Sequence, residues 1–209
     1  MVRFDPEVLP PQALALAKSG ARIGLLGGSF NPAHAAHRHI SLIALRRLKL
    51  DAVWWLVSPQ NPLKGASDLA SIERRANHAR AIADHADIHV TTIETALGTQ
   101  YTIDTLEALT RQFPKARFVW LMGGDNLAEF HRWRRWEEIA ALVPMAVIAR
   151  PRFTTRALAS PAAQQLRAAR LPVEEAGNLA LKAPPAWVFI QERLDPTSST
   201  TLRAKGVWR

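Results

Sequence analysis

Two histidines three residues apart, His34 and His37, follow a pair of glycines in the stretch GLLGGSFNPAHAAHRHI, residues 24–40. Gly27 and Gly28 allow the backbone to turn sharply and to approach a ligand with no Cβ in the way. Ser29 and Phe30 carry the turn onward. Asn31 reads as an N-cap and Pro32 as a first-turn residue, where its missing N–H is not needed. A helix starting there offers orphan N–H groups and the positive end of its dipole, which together favour an anion. His34 and His37, at i and i+3, share one face of that turn and project toward the same volume. The combination reads as a phosphate cradle. Catalytic zinc is the rival chemistry, but it takes three protein ligands, and no third ligand stands at a recognisable spacing; His39 falls on another helix face. A glycine turn with incidental histidines accounts for each residue singly and not for their company. Neither a P-loop pattern nor a G-x-G-x-x-G fingerprint is present.

A cradle of this kind needs a strand before it and a helix after it. RIGLL (22–26), AVWWLV (52–57), DIHVTTI (87–93), RFVWLM (117–122), MAVIA (145–149) and AWVFI (186–190) are short, β-branched or aromatic, and bounded by turn residues. Helical patterns occupy 33–48, 68–85, 102–112, 126–142, 156–170 and 200–205, and 172–185 reads as loop. The alternation predicts an α/β fold: a Rossmann-like, doubly wound parallel sheet with helices on both faces. Ligands bind such sheets beyond the carboxyl ends of the strands, where strand order reverses. A second glycine pair, Gly123-Gly124, followed by Asp125, ends the fourth strand. If the first and fourth strands are neighbours at the reversal, both glycine turns face one crevice.

The whole chain bounds what that crevice serves. At 209 residues, 48% hydrophobic and 22% charged, it reads as one domain over 21–209 behind an N-terminal extension, residues 1–20. No apolar run is long enough to span a bilayer, and residues 1–20 lack the apolar stretch of a signal peptide. The absence of cysteine excludes disulfides and thiolate metal sites. A cytoplasmic location is expected. Lys and Arg outnumber Asp and Glu by 27 to 18, for a formal charge of +9, which suits anionic partners. The clusters RWRR (132–135) and ERR (73–75) are interrupted by apolar residues and read as solvated helix faces, so no nucleic-acid surface is expected.

Two signatures then carry a family resemblance. GGSFNPAHAAH resembles the G-G-[ST]-F-[DN]-P-x-H-x-G-H motif of the nucleotidylyltransferase superfamily, and TSSTTLR (197–203) resembles its partner I-S-S-T-x-[IL]-R. SPQNPLK (58–64), QYTIDTLEAL (100–109), LMGGDNLAEFHRW (121–133) and IARP (148–151) narrow the likeness to the bacterial nicotinate-nucleotide adenylyltransferases, over residues 22 to 205. The resemblance implies adenylyl transfer from ATP to nicotinate mononucleotide. It implies ATP contacts from Gly27, Gly28, Ser29, Phe30, His34, His37, Gly123, Asp125, Ser198, Ser199, Thr200 and Arg203, with His34, His37 and Arg203 at the reacting phosphates. For the mononucleotide it implies Asn31, Lys64, Tyr101, Thr102, Asp125, Trp133 and Arg150. Mg²⁺ would arrive with ATP, held by its oxygens and water rather than by a carboxylate cage. Partners would be the two small substrates, and the chain a monomer or homodimer.

The chain departs from the pattern at Ala36, where the signature has glycine and where a methyl could crowd a nucleotide. Leu63 replaces a common histidine, and Gly124 a common alanine. Two alternatives stand beside the main reading. One is the same transfer onto nicotinamide mononucleotide, which lacks the carboxylate. The other is a catalytically silent, basic RNA-binding module on this fold, disfavoured because both histidines, the Ser-Ser-Thr run and Arg203 are retained.

Overall fold

A computed structural model describes residues 5–59, 69–149, 154–192 and 199–204. Its centre is a sheet of seven strands in the order β3-β2-β1-β4-β5-β7-β6, every adjacent pair parallel. The strands are β1 (Arg22–Gly28), β2 (Ala52–Val57), β3 (Ile88–Thr91), β4 (Arg117–Gly123), β5 (Met145–Ala149), β6 (Arg170–Leu171) and β7 (Trp187–Gln191). Strand order reverses between β1 and β4, which are hydrogen-bonded neighbours. Leu26 pairs with Leu121, so the two strands run on together to Gly28 and Gly123. The two glycine turns therefore open at one switch point.

The helices are α1 (Pro11–Ser19), α2 (Ala35–Arg47), α3 (Ile72–Ala83), α4 (Ile93–Leu97), α5 (Thr102–Gln112), α6 (Gly124–Glu129), α7 (Trp136–Leu142), α8 (Thr154–Leu158), α9 (Pro161–Gln165) and α10 (Ser199–Ala204). A parallel sheet buried on both faces needs strands that are apolar throughout, and all six residues of β2 are buried. Trp54 faces a core shared with α1, α5 and α7, whereas Trp55 faces one shared with α2 and α3. Residues ahead of β1 contribute to the first core through Leu9, Ala13 and Ala17. Their backbone is also tied in, since Arg80 donates to Glu7 O at 3.0 Å and Thr91 Oγ1 donates to Val8 O.

Several sequence expectations are corrected. The helix expected over 126–142 is broken: after α6 come a 3₁₀ turn at Phe130–Arg132 and an extended Trp133, and Arg135 adopts φ 52° before α7. This break turns the chain so that Trp133 and Trp136 both meet Phe130 edge-on, at 5.4 and 5.6 Å. The helix expected over 156–170 divides at Ser160-Pro161, where Ser160 caps α9 by accepting from Ala163 N. Within the expected loop 172–185 lies a 3₁₀ helix, Val173–Leu181, and the two-residue strand β6 was not foreseen. Asn31 is not the N-cap of α2. His34 holds that position, and the Asn31–Pro32 peptide is cis. Asn31 instead turns inward, 4% exposed, where its Oδ1 accepts from Ala70 N at 3.4 Å.

Candidate active site

The loop from Gly28 to His34 joins β1 to α2, and its carbonyls are held from several directions. Gly28 O accepts from Ser58 N at 3.0 Å, just beyond β2. Ser29 O accepts from Arg75 Nη1 at 2.7 Å, and Ala33 O lies 3.2 Å from His78 Nε2; both side chains come from α3. From the far end of the chain, Arg203 Nη1 donates to Asn31 O at 2.5 Å and Ser199 Oγ to Pro32 O at 2.9 Å. Across a trans peptide the N–H and C=O point in opposite directions. The Gly28, Ser29 and Pro32 carbonyls, drawn back into the protein, therefore turn the N–H groups of Ser29, Phe30 and Ala33 the other way, whereas the cis Asn31–Pro32 peptide has no N–H and the His34 N–H is given to His37.

The histidines occupy unequal places. His34 is 4% exposed and caps α2, whereas His37 is half-buried, and their ring centroids lie 3.8 Å apart. His37 Nδ1 accepts from His34 N at 3.2 Å, which leaves the ring proton of the neutral imidazole on Nε2. Phe30, at φ 45°, lies 4.8 Å from His37 and stacks on Trp55 at 5.1 Å. One turn below, the buried Ser41 hydroxyl donates to His37 O at 2.9 Å and accepts from Trp55 Nε1 at 2.7 Å. His37 is thus fixed by an aromatic wall and by the helix beneath it.

Gly27 is required by space. A Cβ there would come within 2.6 Å of the Trp120 ring. At Gly28 the nearest atom, on Phe30, is at an ordinary 3.4 Å. Across the switch point, Asp125 is exposed in the first turn of α6, and its Oδ1 lies 2.3 Å from where a Cβ on Gly123 would stand. Glycine there lets the carboxylate fold over the strand end. Ala36, at 1% exposure, is covered by the protein itself, so its methyl does not stand on the open face of the crevice.

Two of the residues expected for a mononucleotide stand at the start of α5. Tyr101 occupies its N-cap position and Thr102 its first residue, with no side-chain cap on the N–H groups. The Arg134 guanidinium lies 4.5 Å over the Tyr101 ring. The neighbouring Trp133 is half-buried, edge-on to Trp120 at 6.2 Å. Trp120 therefore touches both sides of the crevice, Gly27 on one and Trp133 on the other. Lys64, Arg150 and Ser198 lie outside the described residues, as does the side chain of Thr200, whose backbone is helical in α10.

Two buried charged residues here escaped the sequence reading. Arg75 reads in sequence as one cation of a solvated cluster, yet it is 1% exposed, and desolvation lowers its pKa. Glu94, 6% exposed in α4, accepts from Thr105 Oγ1 at 3.3 Å. Burial raises its carboxyl pKa, opposed by hydrogen bonds from Ser58 and Thr105. Only the apolar frame around each position hints at burial.

No helix of the described residues is long and apolar enough to cross a membrane. The cytidylyltransferase-like family model matches residues 25–205. A relative from Bradyrhizobium sp. strain BTAi1, named "Probable nicotinate-nucleotide adenylyltransferase", is 53% identical over 189 residues, 90% of this chain and 98% of the relative. One of the same name from Methylorubrum extorquens is 52% identical over 184 residues, 88% of this chain and all of the relative (100%). In fold, the chain is similar to the Plasmodium falciparum nicotinic acid mononucleotide adenylyltransferase solved with NaAD. The TM-score is 0.64 at 19% identity, over 88% of this chain and 83% of that one. The chain belongs to the cytidylyltransferase-like family and, within it, to the nicotinate-nucleotide adenylyltransferases.

Proposed function

We propose that this chain transfers the adenylyl group of ATP to nicotinate mononucleotide, giving deamido-NAD and pyrophosphate, a step of NAD biosynthesis in the cytoplasm. The observation that carries the reading is the meeting of two distant segments: Ser199 and Arg203 of α10 bond the backbone of the glycine–histidine loop through Pro32 and Asn31. A phosphate oxygen of the mononucleotide attacks the α-phosphorus of ATP. The new O–P bond forms as the bond to the bridging oxygen breaks, and pyrophosphate leaves with that electron pair. Nothing in this exchange needs a covalent enzyme intermediate, so catalysis consists of alignment and of stabilising phosphate charge.

In this reading Gly27, Gly28, Ser29 and Phe30 shape the ATP side with Gly123 and Asp125, and His37 Nε2–H donates to the reacting phosphate. His34 fixes the His37 ring, and Arg203, beside Asn31, adds positive charge near the leaving group. Ser198, Ser199 and Thr200 complete the phosphate side. On the acceptor side, the start of α5 at Tyr101 and Thr102 offers N–H donors to the nicotinate carboxylate. Trp133 offers a ring face, Asn31 and Asp125 border the ribose, and Lys64 and Arg150 supply positive charge. Mg²⁺ is carried in by the triphosphate in this reading, held by its oxygens and water. Bound there, the ion would neutralise triphosphate charge. The partners are these two small substrates, with no nucleic acid, and the protein acts as a monomer or homodimer.

The test mixes purified protein with ATP, Mg²⁺ and either nicotinate or nicotinamide mononucleotide, and follows pyrophosphate release. Release with the acid and little with the amide is the expected result. Equal release with both would remove the carboxylate assignment at α5. Folded protein that releases none, yet retains RNA in a salt-sensitive way, would put a binding module in its place.

A further inference from the structure

Arg75 lies in α3 with 1% of its surface exposed, and its guanidinium bonds four main-chain carbonyls from three segments. Nε donates to Ala70 O at 2.8 Å, and Nη1 donates to both Ser29 O and Ser58 O at 2.7 Å. Nη2 donates to Pro59 O at 3.1 Å. Ser29 belongs to the loop after β1, Ser58 and Pro59 to the chain leaving β2, and Ala70 to the chain entering α3. Burying a charged group is unfavourable unless hydrogen bonds satisfy it, and here four bonds do so. A guanidinium has five N–H donors fixed in one plane, whereas an ammonium has three on a flexible stem. Only the former reaches all three segments at once. Beside it, the Ser58 N–H donates to Gly28 O at 3.0 Å, linking the two strand ends directly.

We infer that Arg75 is a positioning residue for the transfer: its buried guanidinium locks the phosphate loop after β1 to the chain leaving β2 at Ser58 and Pro59 and to Ala70 ahead of α3, fixing that loop for the approach of the attacking substrate. This rests on the adenylyl-transfer reading above. Ser29 stands on the ATP side, and Lys64, which that reading assigns to the mononucleotide, follows Pro59 five positions on in the sequence. Arg75 touches no substrate. It acts by holding two backbones at a set separation, and in-line displacement is sensitive to misplacement on the ångström scale.

The experiment compares Arg75→Lys with the native full-length chain. Lysine keeps the charge and the aliphatic stem and loses the planar fork. The expected result is a kcat lowered at least tenfold, with KM for ATP and for nicotinate mononucleotide each changed less than threefold. Hydrogen exchange at the Ser58 amide should be faster in the variant without any substrate. A kcat within twofold of native overturns the inference. So does a loss that disappears on cooling in step with the folded fraction, or unchanged protection at Ser58. Should Arg75→Lys not fold, Arg75→Gln with added guanidinium carries the same measurements, and restoration of at least fivefold in kcat is expected. A native chain that folds but releases no pyrophosphate would sink the adenylyl-transfer reading alone. The Ser58 exchange would still report whether Arg75 locks the two segments.

Discussion

The main-chain N–H of His34 donates to His37 Nδ1, so the helix start that makes the anion site also assigns the proton of its nearest ring. A neutral imidazole with its proton on Nε2 is a directed donor, and it needs no titration to serve as one. His37→Ala should lower kcat at least a hundredfold, equivalent to about 2.7 kcal/mol of transition-state stabilisation, while the circular dichroism spectrum stays native. Near-native turnover would remove His37 from the site. The chemistry of the histidine pair was legible in the sequence because glycine, proline and i, i+3 spacing are local signals. The division of labour within the pair was not. It depends on which residue caps the helix, and that depends on Asn31 turning inward to Ala70, 39 positions away. Arg75 was illegible for the same reason, since its carbonyl partners Ser29 and Ser58 are 46 and 17 positions away.

Elements were read well wherever burial is continuous. β2 and β5 begin and end where their apolar runs do, because a strand covered on both faces must be apolar from end to end. They were read poorly where one run of residues serves two packing directions, as in 126–142. There the aromatic contacts among Phe130, Trp133 and Trp136 outweigh helical continuity. The β1–β4 adjacency follows from the doubly wound order and sets the first glycine turn against Trp120 of β4. At the close of β1, Gly27→Ala would drive a methyl to within 2.6 Å of the Trp120 ring, which in turn meets Trp133 edge-on. Overpacking of this kind destabilises by about 1–3 kcal/mol, or roughly 2–12 °C in Tm for a chain of this size. Thermal unfolding checks the first effect, and a raised KM for the mononucleotide would report the second. A variant with native Tm and native KM would show that Trp120 yields without disturbing its neighbours.

Across the molecule, charge is mostly exposed and modest in consequence. Arg135 pairs with Asp104, Glu107 and Glu138 at the surface, and such pairs contribute little to stability. Glu94 is the contrary case, a carboxyl enclosed where β2, α4 and α5 converge. Desolvation raises its pKa above the ordinary 4.5, so in the interval between those values the folded chain binds more protons than the unfolded one. Stability then falls as pH rises through that interval, and it is highest with respect to Glu94 below it. Glutamine has the same shape and stays neutral. Tm measured from pH 4 to pH 9 should therefore show Glu94→Gln close to native at the acidic end and progressively more stable than native as pH rises. The two curves should part above pH 4.5 and become parallel once Glu94 is ionised in both states. A separation that does not change with pH would mean that Glu94 keeps its charge inside the fold. In that event Ser58 and Thr105 would be solvating an anion beside the start of α5, and the acceptor side would repel a carboxylate instead of receiving it.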